Sequence, residues 1–197
     1  MRIRWVLLLV VFSCVAVPRS RAVTLKVSSS ALERTLTTQL FAKDGGRFYL
    51  RGNGHSGCFV YAQSPKVSFV DDRVVVHLHV HARLGTSVYG ECIGIGLSRD
   101  VDVSVAPVAE GETIGFQDAR IDKLSGSREL DALLMPFLMG KVPSSLKVNA
   151  ATQLRQLLVK STETTGYDIS LDRLLVHSMS VQEGVLLIDM DGDFSVQ

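Results

Sequence analysis

The sequence predicts an α+β domain in which helices lie on one face of a strongly curved antiparallel sheet, and three observations carry that expectation. Its elements fall in segregated blocks, helix, strands, helices, strands, which alternating βαβ units do not produce. Arg73 to Arg83 alternates strictly, with Val74, Val76, Leu78, Val80 and Ala82 on one face and Val75, His77, His79, His81 and Arg83 on the other. In Val88 to Leu97 the even positions are Val88, Gly90, Cys92, Gly94 and Gly96, and such lack of bulk on one face lets a strand bend sharply.

Taken in order, Val23 to Val27 reads as a short extended segment. Ser30-Ala-Leu-Glu33 has the spacing of a capping box, so the first helix is expected to start there, with Leu32, Leu36 and Leu40 as its narrow apolar stripe and Asp44-Gly45-Gly46 as its stop. Residues from about Arg47 to Leu124 read as antiparallel strands, with Asp71-Asp72 as a tight turn between Val67–Val70 and the strand at Arg73. Asp100 to Ala106 puts Val101, Val103 and Val105 on one face, so one side of the sheet is dry and the other wet. In the curved strand, the bulkier Tyr89, Ile93, Ile95 and Leu97 are expected to look inward. Arg128 to Gly140 is apolar nearly all round and interrupted by Pro136. A second helix is expected from Ser144 or Ser145, with Leu146, Ala150, Leu154, Leu157 and Leu158 on one side. Two closing strands follow, Tyr167 to about Val181, with Tyr167, Ile169, Leu171 and Leu175 in phase, and Val185 to about Val196, joined at Gly184.

Residues 1–22 stand apart. Met1-Arg-Ile-Arg4 is a basic head, Trp5 to Val17 is almost continuously apolar but shorter than the ~20 residues that span a bilayer, and Ser20-Arg21-Ala22 offers small residues to a signal peptidase. We therefore expect a cleaved export signal over 1–22, one domain over 23–197, and a periplasmic or secreted location. Val11-Phe12-Ser13-Cys14 is an imperfect lipobox, and acylation of Cys14 is the alternative to cleavage at Ala22. The 21 Lys and Arg against 20 Asp and Glu become 17 against 20 once Arg2, Arg4, Arg19 and Arg21 leave with the signal, which argues against a nucleic-acid partner. A hydrophobic fraction of 46% argues against disorder. With Cys14 gone, Cys58 and Cys92 remain, and in an oxidising compartment they most simply pair, two separate buried thiols being the alternative.

The layout resembles the tubular lipid-binding superfamily, and within it the small bacterial exported proteins of the YceB type. The resemblance is carried by LKVSSSALERTLTTQL from Leu25 to Leu40, PKVSFVDDRVVVHLHV from Pro65 to Val80, LLMPFLMGKVPSSL from Leu133 to Leu146, and VQEGVLLIDMDG from Val181 to Gly192. It implies a highly curved antiparallel sheet wrapped around two or three helices to enclose an apolar core or tunnel, and it implies binding or carriage of a lipid or other apolar molecule. Past Val17 no apolar stretch is long enough to cross a membrane, so the mature protein is expected to be soluble or in peripheral contact with a membrane. Leu133 to Met139 is also more apolar than one helix on one sheet requires, and Met and Phe adapt to irregular ligands, though plain core packing explains the same residues. Under the lipid reading the lining is expected from Leu36, Leu40, Leu134, Phe137, Leu138, Met139, Leu146 and Leu154.

Candidate chemical sites are sparse, and no catalytic signature or cofactor motif emerges, so the expectation is a non-enzymatic protein. His77, His79 and His81 share a strand face about 6.6 Å apart per step, a spacing that can ligate zinc or copper, but no Cys, Asp or Glu beside them in sequence completes a shell, and a solvated or partner-binding face is the plainer expectation. Asp189, Asp191 and Asp193 have part of a calcium-loop spacing without its closing glutamate and read as a solvated strand end. His177, in phase with Leu175 and Met179, reads as a hydrogen-bonded core histidine. Gly52-Asn-Gly54-His-Ser-Gly57 matches the dinucleotide fingerprint letter for letter, yet Cys58-Phe-Val-Tyr61 after it reads as a strand where the phosphate needs a helix, so it is expected to be a hairpin turn. Ser56 lacks the glycine spacing of a nucleophile elbow. An exported interaction module with a filled core, and more remotely a metal protein built on the three histidines, are the competing functional classes.

Overall fold

The structure, a computed structural model, describes residues 22–124, 132, 134–136, 138 and 145–196. Its elements are β1 (Ala22–Val27), α1 (Ser29–Leu40), β2 (Arg47–Arg51), β3 (Phe59–Val70), β4 (Arg73–Val88), β5 (Glu91–Glu110), β6 (Thr113–Leu124), β7 (Ser145–Asn149), α2 (Ala150–Thr165), β8 (Ile169–Gln182) and β9 (Val185–Val196). Ala132, Leu134, Met135, Pro136 and Leu138 are also helical. The expected export signal, Cys14 included, lies outside the described residues except for Ala22, which opens β1.

Strands β2 to β7 form one antiparallel meander in chain order, and β1, β9 and β8 form a second antiparallel sheet with β9 central. The sheets meet where the Val176 N–H of β8 donates to the Gly111 carbonyl at the β5–β6 turn, 2.7 Å away. The large sheet curls for two visible reasons. Register shifts interrupt β2–β3, β3–β4 and β5–β6, and each extra residue bends its strand. At the far end of the β4–β5 pair Gly85 lies opposite Gly94, where a Cβ on Gly94 would sit 1.9 Å from the Leu84 carbonyl oxygen. Only glycine permits this backbone contact, which accounts for Gly94 within the small-residue face of 88–97.

The alternation in β4 appears for most positions: Val74, Val76, Leu78, Val80 and Ala82 enter the core and the histidines face outward, but Val75, expected on the wet face, is buried with its partner Ser104. Two apolar clusters share this inner face. The first gathers Phe41, Leu50, Val60, Ala62, Val80, Ala82, Leu84, Leu97, Val101 and Val103 beneath Leu134 and Leu138. The second gathers Val67 and Val74 with Leu171, Leu174, Val176, Met179, Val181, Leu186 and Ile188 of the smaller sheet, together with α1 and α2.

Several local expectations are corrected. The N-cap of α1 is Ser28, whose hydroxyl accepts from the Ala31 N–H at 3.3 Å, so Ser30 and Glu33 form no capping box. Glu33 instead accepts from the Val67 N–H at 3.2 Å and ties the helix to β3. The expected helix start at Ser144 or Ser145 fails because Ser145–Asn149 completes the sheet edge, pairing Leu146 with Phe116; α2 begins at Ala150, with Asn149 Oδ1 accepting from the Thr152 N–H at 2.7 Å. In β8, register shifts after Leu171 and after Val176 change the phase. Leu174 and Val176 are therefore buried in place of Leu175, and His177 is no core histidine: it faces outward and bonds Asp191 Oδ2 at 2.9 Å.

Candidate functional site

The inner face is the first candidate, because it holds the residues expected to line a cavity. Leu134 and Leu138 are 0% and 1% exposed and close the first cluster. Leu36 and Leu154 belong to the second, each only partly buried. Leu40, the last residue of α1, is 46% exposed. Phe137, Met139 and the side chain of Leu146 lie outside the described residues. The expected set is thus divided between two clusters. The clusters differ in finish: among the described residues three partly buried hydrophobic side chains flank the first, Phe48, Leu78 and Ile121, whereas thirteen flank the second. Helix α1 buries no side chain completely, although Leu32 and Leu36 face the sheet.

The outer face is built by register. Tyr89-Gly90 forms a two-residue turn with both residues at positive φ, pairing Val88 with Glu91 and so setting His77, His79 and His81 opposite Asp102, Asp100 and Ser98. His77 Nδ1–H donates to Asp102 Oδ1 at 2.8 Å, and its Nε2 lies 2.7 Å from the Ser68 hydroxyl. His79 Nδ1–H donates to Asp100 Oδ1 at 2.6 Å, with Ser98 Oγ 2.8 Å from Nε2. His81 differs: its partners are neutral, with the Gln63 amide nitrogen donating to its Nε2 at 3.2 Å and Ser98 Oγ 3.4 Å from its Nδ1, and Tyr61 lies beside its ring, centroids 5.1 Å apart. Burial pushes the His81 pKa below the ordinary histidine value, and His79 and then Arg47 add to the effect. Among the described residues no group of three or more His, Cys, Asp and Glu is arranged to hold a metal ion, and the ring nitrogens are occupied by this ladder.

Beside His81 the surface is aromatic and cationic. Tyr61 stacks near Phe59 and Tyr49, and the Arg47 guanidinium lies 4.9 Å over the Tyr61 ring. Phe59, Tyr61, His81, Arg83, Gly96 and Ser98 border an open depression of about 380 Å³, roomy because Gly96 contributes no side chain opposite Arg83. A second depression, about 330 Å³, lies between the end of α1 and Gln63–Pro65. The Cys58–Cys92 disulfide closes the same end of the sheet, with Cα atoms 4.9 Å apart, so the expected pairing is present. The 52–58 segment is a turn, as its following strand implied: Asn53 Oδ1 accepts from the His55 N–H at 2.9 Å.

Sequence reading missed Asp100, Asp102 and Ser98 as partners of the histidines. Their phase was readable in Arg99-Asp-Val-Asp-Val-Ser104, and treating Tyr89-Gly90 as a two-residue turn would have supplied the register. The three calcium-like aspartates separate by role: Asp189 accepts weakly from Thr24, Asp191 engages His177, and Asp193 is exposed. Compared with known proteins, the chain matches no family model, no curated protein and no solved structure. No helix among the described residues is long and apolar enough to cross a membrane.

Proposed function

We propose that this is an exported, non-enzymatic protein that holds a lipid or other apolar molecule between its helices and the inner face of its curled sheet. The observation that supports it is the incomplete cover of the second cluster. Helix α1 presents Leu32 and Leu36 to the sheet yet buries neither completely, and Leu154 and Leu158 of α2 behave alike. Burial of an acyl chain there would return roughly 25 cal/mol per Å² of apolar area removed from water. The resemblance to tubular lipid-binding proteins, in which a sheet wraps helices around an apolar tunnel, points the same way.

The test is organic extraction and native mass spectrometry of the purified protein, followed by titration with a fluorescent fatty-acid probe. Acyl-chain species should co-purify, and Leu36→Trp or Leu154→Trp, which add bulk where the acyl chain would lie, should weaken probe binding by about tenfold with the far-UV circular dichroism unchanged. Empty protein that takes up no probe would overturn the reading. That outcome would favour an exported interaction module, for which the specific observation is the ordered His77–Asp102 and His79–Asp100 ladder beside the depression at Tyr61.

A further inference from the structure

The β4–β5 pair does not stop where the core stops. Its register holds without a shift from Val74↔Val105 to Val88↔Glu91, so Leu84, Val88, Ile93 and Ile95 continue the face that carries Leu97 and Val101. Along β5 exposure climbs steadily toward the turn, from 9% at Leu97 to 43% at Ile95 and 67% at Ile93, and Tyr89 at the turn is fully exposed. The inward expectation for the bulky residues therefore holds for phase and for Leu97, while Ile93, Ile95 and Tyr89 are exposed.

This apolar tip is braced. The disulfide joins Cys92 to Cys58 in the β2–β3 connection, and a Cβ on Gly57 would sit 2.3 Å from the Gly90 carbonyl oxygen, so that connection lies directly on the turn. Leaving large apolar side chains in water on a fixed hairpin is costly unless something covers them. Charge indicates what does. Segments 47–61 and 81–97 carry Arg47, Arg51 and Arg83 against the single acid Glu91, on a chain whose residues 23–197 hold 17 basic and 20 acidic side chains. Arg83, paired with Gly96, lies one row behind Ile95 on the opposite, outer face of the hairpin, next to Phe59 and Tyr61 on the open depression. A tip that meets a surface end-on therefore brings both faces to it, while Glu91 shares the face of the isoleucines beside the turn.

We infer that the β4–β5 tip docks on an anionic phospholipid bilayer surface, with Ile93 and Ile95 entering the headgroup–acyl boundary, Tyr89 lying at the interface, and Arg83, with Arg47 and Arg51, meeting lipid phosphates. Apolar insertion with an aromatic and cationic collar is the arrangement such surfaces reward. A second copy of this chain would meet the same arginines, which its own cationic collar repels. The inference stands whether or not the interior holds a ligand.

The test is flotation of the purified oxidised protein with phosphatidylcholine vesicles, with and without phosphatidylglycerol. The protein should float with the anionic vesicles, and more weakly as salt rises. The double variant Ile93→Asp/Ile95→Asp, at positions outside the core, should lose at least about tenfold in partitioning while its circular dichroism and disulfide are kept. Arg83→Gln should weaken anionic binding and flatten the salt dependence. Equal flotation of the double variant, no flotation of the parent protein, or a lipid-free dimer that the double variant dissolves would each overturn the inference. Probe uptake separates it from the interior reading: a double variant that takes up the probe normally but no longer floats supports both, and loss of flotation with no uptake in either protein supports docking alone.

Discussion

The two apolar clusters rest on the same strands and are finished differently. Strand β4 gives Leu78, Val80, Ala82 and Leu84 to the first and Val74 and Val76 to the second, and β5 divides likewise between Val101 and Val105. Among the described residues Leu134 and Leu138 cover the first, whereas α1 and α2 leave the second with a wide margin of half-buried apolar side chains. Strand composition is similar in both, so the cover decides whether an apolar face becomes a closed core or an adaptable one. Close packing rewards the first arrangement with stability, and the looser cover of the second is what the proposed binding of an apolar molecule would use.

The largest expected effect is at the sealed end. Cys58→Ser with Cys92→Ser releases a bridge spanning 34 residues in sequence, which loop entropy values at about 3–4 kcal/mol. Urea unfolding should register that loss, and a change below about 1 kcal/mol would show that the bridge adds little to the sheet's own closure. Next come the leucines. Leu138→Ala should cost about 3 kcal/mol because it empties a sealed site, while Leu154→Ala, at a half-buried position, should cost about 1 kcal/mol. Equal costs would erase the distinction between the clusters.

Much of the fold was legible because strands announce themselves by alternation. Residues 47–124 and the turn at Asp71-Asp72 follow from local pattern, and the Cys58–Cys92 pair from the expected oxidising compartment. What stayed hidden was decided by tertiary pairing. Ser145–Asn149 carries residues compatible with a helix start, and its partner strand β6 makes it a strand. Glu33 has capping-box spacing but finds a better donor in the Val67 N–H of β3. The bulges in β8 move Leu174 inward and His177 outward, and no single-strand periodicity contains that information. For the candidate site, residue types were readable and partners were not: Leu36, Leu134, Leu138 and Leu154 do join apolar clusters while Leu40 is exposed, and their division between two clusters depends on where each helix lands.

The smallest effect probes the outer face directly over the sealed cluster, where His81 alternates with Val80 and Ala82. Burial, then the neighbouring His79 and Arg47, lower the His81 pKa from its ordinary 6.5. An unfolded chain therefore binds more protons than the folded one between the lowered value and 6.5, so stability rises with pH across that window. The contribution is fully present above the unfolded value and lost as pH falls through the folded one. Lowering the pH from about 7.5 to about 5.5 should thus reduce the urea midpoint, and His81→Gln, which cannot titrate, should reduce it less. Identical slopes for the two proteins would show that Gln63 and Tyr61 accommodate a charged His81 without cost.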